Sequence, residues 1–227
     1  MDTAPDRPPD GLLITFEGGE GSGKSTQLER LAGWLEEEGH AVTMAREPGT
    51  TATGEAVRRI LLETAPDDLV PQAEFALFLA ARAQLAEEVV RPALEEGRVV
   101  LLDRYGDSST AYQGYGRGLD PREIARLNRW ATHGLEPDLT VLIDVAVEEG
   151  AARRGDREPD RLERLAPAFH ERVRRGYREL ARNHPDRFVV IPGERSIDEI
   201  QETIRERVRD RLSKRTPQAA GSSDRRD

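Results

Sequence analysis

Phe16-Glu17-Gly18-Gly19-Glu20-Gly21-Ser22-Gly23-Lys24-Ser25-Thr26 is the stretch that decides the reading of this chain. Gly18, four intervening residues and Gly23-Lys24-Ser25 fit the phosphate-binding pattern G-x-x-x-x-G-K-[ST]. Glycines let backbone N–H groups turn inward around a phosphate with no Cβ in the way. A lysine at the Lys24 position reaches the β- and γ-phosphates of a nucleotide, and a hydroxyl at Ser25 ligates Mg²⁺. The surroundings agree. Leu12–Phe16 is a short apolar run that reads as a buried strand, and Leu28, Leu31 and Leu35 recur at helical spacing. The loop therefore joins a strand to a helix N-terminus, where anions bind. A glycine turn matching by chance would lack that setting. The expected nucleotide-binding set is Gly18, Gly19, Glu20, Gly21, Ser22, Gly23, Lys24, Ser25 and Thr26.

Composition adds an independent hint. Of 34 Lys and Arg residues only Lys24 and Lys214 are lysine. A chain that writes nearly every base as arginine keeps lysine in the loop, where a broad planar guanidinium does not replace a compact ammonium. The 227 residues suit one α/β domain with a full core and at most a small lid. A net charge of −9 argues against a nucleic-acid polymer as partner. There is no cysteine, hence no disulfide or thiolate metal site, and the four histidines show no H-E-x-x-H spacing. No apolar run approaches the ~18 residues of a membrane span. Met1–Asp10 has no apolar core and does not read as a secretory signal, so a cytoplasmic protein is expected.

Along the chain, strand-like runs alternate with amphipathic segments. Gly39 reads as the stop of the first helix and Ala41–Ala45 as a second strand, followed by the turn cluster Arg46–Thr51. Glu55–Glu63 reads as a helix, and Pro71 opens a longer helical pattern running to Leu94. Val99–Leu102 is an unbroken apolar run, as in a strand covered on both faces, and it ends in Asp103. Asp120-Pro121-Arg122-Glu123 supplies an N-cap, a proline at the first helical position and an acid in the first turn. Leu139–Ile143 and Phe188–Ile191 read as further strands, and Ser196–Glu199 as a capping box for a last helix reaching Leu212. Strands separated by helices imply a parallel sheet with helices on both faces and ligands beyond the carboxyl ends of its strands. Residues 1–10 and 213–227 carry no apolar anchor and are expected to be disordered.

Asp103 at a strand end resembles the acid that supports Mg²⁺ in phosphate-loop enzymes. Asp103-Arg104-Tyr105-Gly106 also spells D-x-x-G, the switch pattern of GTPases. Those proteins read guanine with N-K-x-D, and neither lysine here follows an asparagine, so an ATP-consuming enzyme is the better reading.

Together, Phe16–Thr26, Arg46-Glu-Pro-Gly, Phe78-Leu-Ala-Ala-Arg82, Asp103-Arg-Tyr, Ser108-Ser-Thr-Ala-Tyr-Gln113-Gly and the basic stretch Arg153–Glu163 resemble the bacterial thymidylate kinases, over about Leu12 to Leu212. Thr50-Thr51 departs from the pattern where the family usually has a second glycine. The resemblance implies a three-layer α/β fold of the P-loop NTPase kind: a five-stranded parallel sheet, helices on both faces and a small mobile lid at about 152–162. It implies transfer of a phosphoryl group from ATP to dTMP with Mg²⁺ held at Ser25 and Asp103, and a homodimer. On the acceptor side it assigns Glu20, Arg46, Pro48, Phe78, Arg82, Arg104, Ser108, Ser109, Tyr112 and Gln113. In it, Phe78 stacks on the base and Arg82 bonds its carbonyl edge. Arg104 holds the acceptor phosphate with Arg46 behind, and Tyr112 and Gln113 meet sugar and base. Lys24, Arg104 and the lid arginines Arg153 and Arg157 carry catalysis, the lid supplying a cation that eukaryotic relatives place at the Gly21 position.

The residues alone leave other readings open. Phe78 and Arg82, at i and i+4 on one helix face, could be core and solvated surface. Arg46 could be an ion-pair partner, Tyr112 a buried helix aromatic, and Arg153–Arg161 a solvated loop. A different nucleoside monophosphate kinase, or an ATP-dependent switch without a small acceptor, are the alternative functions.

Overall fold

The strands form where the sequence places unbroken apolar runs. In the computed structural model, which describes residues 11–63, 68–155 and 158–214, they are β1 (Leu12–Glu17), β2 (Val42–Arg46), β3 (Val99–Asp103), β4 (Leu139–Asp144) and β5 (Phe188–Pro192). All neighbours pair in parallel in the order β2-β3-β1-β4-β5. The register aligns Phe16 with Asp103 and Arg46 with Asp103, so the carboxyl ends of β1, β2 and β3 finish level.

Side chains alternate across each strand, and each face finds its own helices. On one face Leu12, Ile14 and Phe16 join Leu101, Val141, Ile143 and Ile191 beneath α1 (Lys24–Glu37) and α9 (Ile197–Ser213). On the other, Leu13, Val100 and Leu102 pack on Leu85, Val90 and Leu94 of a long helical run. That run begins as α3 (Pro71–Leu85), passes through a π-helical turn at Ala86–Val90 and ends as α4 (Arg91–Glu95). The sequence pattern reads it as one helix. Pro92 has no N–H to return to the preceding turn, and the wider turn sits immediately before its segment.

Helix ends follow their local chemistry. Asp120 caps α6 (Pro121–Ala131) by accepting from the Arg122 N–H at 2.9 Å, and Ser196 with Glu199 closes the reciprocal box at the start of α9. α2 (Ala52–Glu63) begins three residues earlier than the apolar pattern indicates. Three further helical segments carry no expectation from the sequence reading: α5 (Gly106–Ser109), which continues as a π-helical stretch Thr110–Gly116, α7 (Val147–Arg154), and α8 (Pro167–Asn183). Arg153 and Arg154, read as the start of a loop, are the last residues of α7. The termini expected to be disordered lie outside the described residues over 1–10 and 215–227.

α7 is fastened to the phosphate loop through two glycines. A Cβ on Gly21 would stand 2.1 Å from the Gly150 carbonyl oxygen, and a Cβ on Gly150 would stand 2.3 Å from the Glu20 carbonyl oxygen. Backbone meets backbone, so neither side can yield. The same substitution at two helical glycines should therefore have opposite signs. Gly150→Ala is expected to destabilise the protein by about 1–3 kcal/mol, as overpacking does. Gly33→Ala, exposed in the middle of α1 with open space where the methyl would go, is expected to stabilise it by about 1 kcal/mol. Urea unfolding of both variants checks this; shifts of the same sign would contradict it.

Candidate active site

β1 delivers the phosphate loop at the level where the neighbouring strands end. Gly18 and Gly23 hold φ of 139° and 91°, and a Cβ on Gly18 would meet the Ile143 carbonyl oxygen at 2.4 Å. Gly23 is the N-cap of α1 and provides no side-chain cap, so the first-turn N–H groups stay available to an anion. The Lys24 ammonium is buried and donates to the carbonyls of Gly19 (2.8 Å) and Gly18 (3.2 Å) and to Ser22 Oγ (3.3 Å). Burial and the charge of Arg104 lower its pKa. An arriving phosphate opposes both effects by adding negative charge beside the ammonium.

The loop opens onto a cleft of about 830 Å³. Glu20 through Thr26, Arg46, Pro48, Phe78, Asp103, Arg104, Ser108, Ser109, Tyr112 and Gln113 all line it. Residues from Glu20 to Gln113, 93 positions apart in the chain, thus meet because the strand ends bring them together. Ser25 Oγ donates to Asp103 Oδ2 at 2.9 Å, which sets a hydroxyl and a carboxylate side by side at one wall. Both are hard oxygen donors of the kind Mg²⁺ accepts. Among the described residues no three His, Cys, Asp or Glu side chains form a metal cage, so further ligands there would come from phosphate and water. Arg46 reaches Glu55 at 2.9 Å and stays half-exposed. Arg58 on α2, absent from the sequence reading, also lines the cleft and donates to the Pro48 carbonyl at 2.9 Å. The Glu47-Pro48 peptide is cis.

Arg104 is the most heavily constrained cation of the cleft. Its φ is 70°, a left-handed conformation that costs a non-glycine residue energy and collects at functional sites. Its Nη1 donates to Gly18 O (3.1 Å), Tyr177 Oη (3.2 Å) and Ser108 Oγ (3.3 Å). Its Nη2 meets Glu20 and Tyr112 Oη, and the guanidinium lies 5.1 Å above the Tyr112 ring.

Beneath it sits a carboxylate that the sequence reading passes over. Glu17, at the end of β1, is fully buried and accepts from the Tyr105 N–H (2.8 Å), Ser108 Oγ (2.6 Å) and Tyr177 Oη (3.0 Å). Burial first, then the charge of Asp107, push its carboxyl from the ordinary 4.5 up to about 7, against the hydrogen bond from Ser108 and the charge of Arg104. Tyr177 comes from α8, where Phe169, Val173, Tyr177 and Ala181 recur every four residues. That spacing is the signal by which the sequence reveals this helix.

The base-side residues divide. Phe78 faces the cleft from the cluster of Val57, Leu61 and Ala81, and Gln113 lines the same wall. Arg82 does not line it. It is fully buried, and its Nε donates to Glu47 Oε2 at 2.9 Å while its Nη atoms bond Glu47 Oε1, Asn128 Oδ1 and Ser109 Oγ. These bonds leave one Nη1 hydrogen uncommitted. Arg82 is therefore a partner of the carboxylate before Pro48, a role that i, i+4 spacing alone does not display. Arg153 also stands outside the cleft lining, donating to Glu149 (2.5 Å) and to the Gly193 carbonyl (2.8 Å). Arg157 lies outside the described residues.

Comparison with known proteins gives one consistent outcome. A family profile described as thymidylate kinase matches residues 16–204. A thymidylate kinase of Nitratidesulfovibrio vulgaris (strain Miyazaki F) is 50% identical over 210 residues, 89% of this chain and 98% of that one. One from Deinococcus radiodurans is 51% identical over 197 residues, 86% and 94% of the two chains. The crystal structure of a thymidylate kinase from Ehrlichia chaffeensis superposes with a TM-score of 0.72 at 33% identity, covering 88% of this chain and 99% of that one.

Folding lifts the Glu17 pKa above its ordinary value, so the folded chain keeps a proton that the unfolded chain loses. Its stabilising contribution is complete below about pH 4.5 and is lost as the pH climbs through about 7. Relative to Glu17→Gln, which stays neutral, the wild-type protein should lose stability across that window. Urea unfolding of both proteins at several pH values checks this; parallel pH curves would contradict it.

Proposed function

We propose that this chain, which belongs to the thymidylate kinase family, converts ATP and dTMP into ADP and dTDP, supplying dTTP for DNA synthesis. The observation that carries the reading is the placing of Lys24 and Arg104 side by side on one wall of one cleft. One cation suits the donor's phosphates, the other the acceptor's.

A 5′-phosphate oxygen of dTMP attacks the γ-phosphorus of ATP, and the bond to the β–γ bridging oxygen breaks. The acceptor's second pKa is near ~6, so its oxygen is already largely ionised at neutral pH and no general base is needed. The chain's work is to align two anions and offset their repulsion. Lys24 and the first-turn amides of α1 take the donor phosphates. Arg104, steadied by Ser108 and Tyr177, takes the acceptor phosphate through its planar fork. Glu20 and Tyr112 bound the sugar, and a ring against C2′ excludes a ribose hydroxyl. Phe78, Ser109 and Gln113 meet the base, while Arg82 holds the Glu47–Pro48 wall and has one hydrogen left for the base edge. Arg46 and Arg58 add positive potential at the cleft mouth. Ser25 and Asp103 would hold Mg²⁺, which supplies charge neutralisation at the β- and γ-oxygens when bound.

The end of α7 acts as the lid over the nucleotide, bringing Arg153 to the transferring phosphoryl group, while the buried Arg161 anchors the chain beyond it. The exposed pair of Arg153 with Glu149 is of the kind worth about 0–1 kcal/mol, so releasing it for that task is cheap. An α/β enzyme without any helix among its described residues able to cross a membrane fits a cytoplasmic location.

The protein also forms a homodimer. On α3, Ala76, Leu79, Ala80 and Ala83 make an apolar stripe that the rest of the described chain leaves exposed or half-exposed. Trp130 on α6, at 71% exposure, is a further large apolar side chain in search of cover.

With ATP and Mg²⁺, dTMP should be turned over well above dUMP, dCMP, dGMP and AMP; ATP hydrolysis indifferent to every monophosphate would refute the kinase reading. In that assay Arg153→Ala should lower kcat with little change in the KM for dTMP, and unchanged kcat would remove Arg153 from the transition state. Light scattering at micromolar concentration should give about twice the 25.3 kDa chain mass, and a monomer's mass would reject the dimer.

A further inference from the structure

One carboxylate near the base end of the cleft takes no part in phosphoryl transfer. Glu74, in the first turn of α3, is fully buried and gathers donors from three residues on two other segments. Gln113 Nε2 donates to its Oε1 at 2.9 Å and Arg117 Nη2 to its Oε2 at 2.8 Å, while Arg161 Nη1 stands 2.7 Å from Oε2. Arg161 is itself fully buried, and its Nε donates to the Leu61 carbonyl at 2.6 Å. Burial alone would raise the Glu74 pKa. The hydrogen bonds from Arg117 and Gln113 and the charges of Arg161 and Arg117 outweigh it, and the net shift is downward. Glu74 is therefore ionised and accepts only.

An ionised partner fixes the polarity of Gln113. An amide has a donor end and an acceptor end, and here the donor end is committed to a carboxylate. That sets the carbonyl oxygen, together with the second NH2 hydrogen, as what Gln113 has left for the cleft it lines, with the oxygen end turned away from Glu74. Turning the amide over would set that oxygen against the Glu74 oxygen and break a buried, charge-assisted hydrogen bond.

We propose that Glu74 is a positioning residue that sets base selectivity: by holding Gln113 with its oxygen toward the cleft, it selects a pyrimidine whose N3 carries a hydrogen and refuses cytosine. Thymine and uracil offer an N3–H to that oxygen. Cytosine offers a lone pair, leaving two acceptors face to face and both unpaired. The proposal rests on the reading of this cleft as the dTMP site. Arg117 and Arg161 keep the carboxylate charged, and so keep the amide in one orientation.

The test is Glu74→Gln, which preserves shape and removes the enforced polarity. Its oxygen can satisfy the arginines, and its NH2 then faces Gln113, which turns over and offers N–H to the base. The ratio of kcat/KM for dTMP to that for dCMP should fall by about 10–100-fold, carried by KM for the acceptors, with KM for ATP unchanged. Equal loss on both acceptors, with the ratio intact, would overturn the proposal. Gln113→Ala separates the two layers of the argument. If it leaves the ratio unchanged, Gln113 does not touch the base, and the base-site reading fails with the proposal. If it collapses the ratio while Glu74→Gln does not, only the role of Glu74 fails. Should Glu74→Gln not fold, the wild-type protein gives the answer by NMR. The Gln113 NH2 proton bonded to Glu74, identified by its loss in Gln113→Ala, should exchange slowly and stay bonded to Glu74 when dTMP binds. A large shift on binding, as for an NH2 handed over to the nucleotide, would overturn the assignment.

Discussion

The carbonyl oxygen of Gly18 accepts from two cations at once, Lys24 at 3.2 Å and Arg104 at 3.1 Å. Two positive charges sharing one neutral acceptor repel each other, and in a partly buried site that repulsion is weakly screened. The rest of the cleft can be read as the means of holding that arrangement until anions arrive. Glu20 bonds Arg104 from the loop, Ser108 and Tyr177 hold it from the helices, and Glu17 holds Ser108 and Tyr177 in turn. Gly18 itself has no alternative, since its φ and the nearby Ile143 carbonyl exclude any side chain. Catalysis by positioning needs such a frame, because charges already in place do not have to reorganise as the phosphoryl group moves.

The sheet makes the frame possible. Level strand ends bring Glu17, Arg46 and Asp103 to one rim, and α1 begins where β1 stops. The acceptor side is built differently, from helices that pack on the sheet and on one another. There the stabilising contacts are buried ion pairs: Glu47 with Arg82, Glu74 with Arg161. Removing one partner of such a pair costs about 3–5 kcal/mol because the other charge is left without compensation, whereas the intact pair adds little net stability. Their value lies in orientation. A guanidinium held by Glu47 stiffens the Pro48 turn, and a carboxylate held by two arginines fixes an amide.

Much of this was legible in the residues, and the limits have physical causes. The phosphate loop, the five strands and the caps at Asp120 and Ser196 are local signals, and local signals survive in a single sequence. The π-helical turn before Pro92 and the helix that includes Tyr112 and Gln113 are not, because π geometry has no periodicity of its own in the apolar pattern. α8 is different: Phe169, Val173, Tyr177 and Ala181 recur every four residues, a local helical signal, but they sit among charged residues that dilute the apolar pattern. Glu17 stood inside the quoted motif, yet only the fold shows that Ser108 and Tyr177, distant in the chain, converge on it. Arg82 marks the other limit. Spacing placed it beside Phe78 correctly, but which carboxylate would claim it depends on Glu47, 35 residues away.

The central claim is that two neighbouring cations serve two different anions. Titration calorimetry of ATP and of dTMP, each alone, against Lys24→Met and Arg104→Ala tests it most directly. The account predicts a crossed pattern: Lys24→Met loses ATP affinity and keeps that for dTMP, and Arg104→Ala does the reverse. Loss of the same ligand by both variants would contradict it.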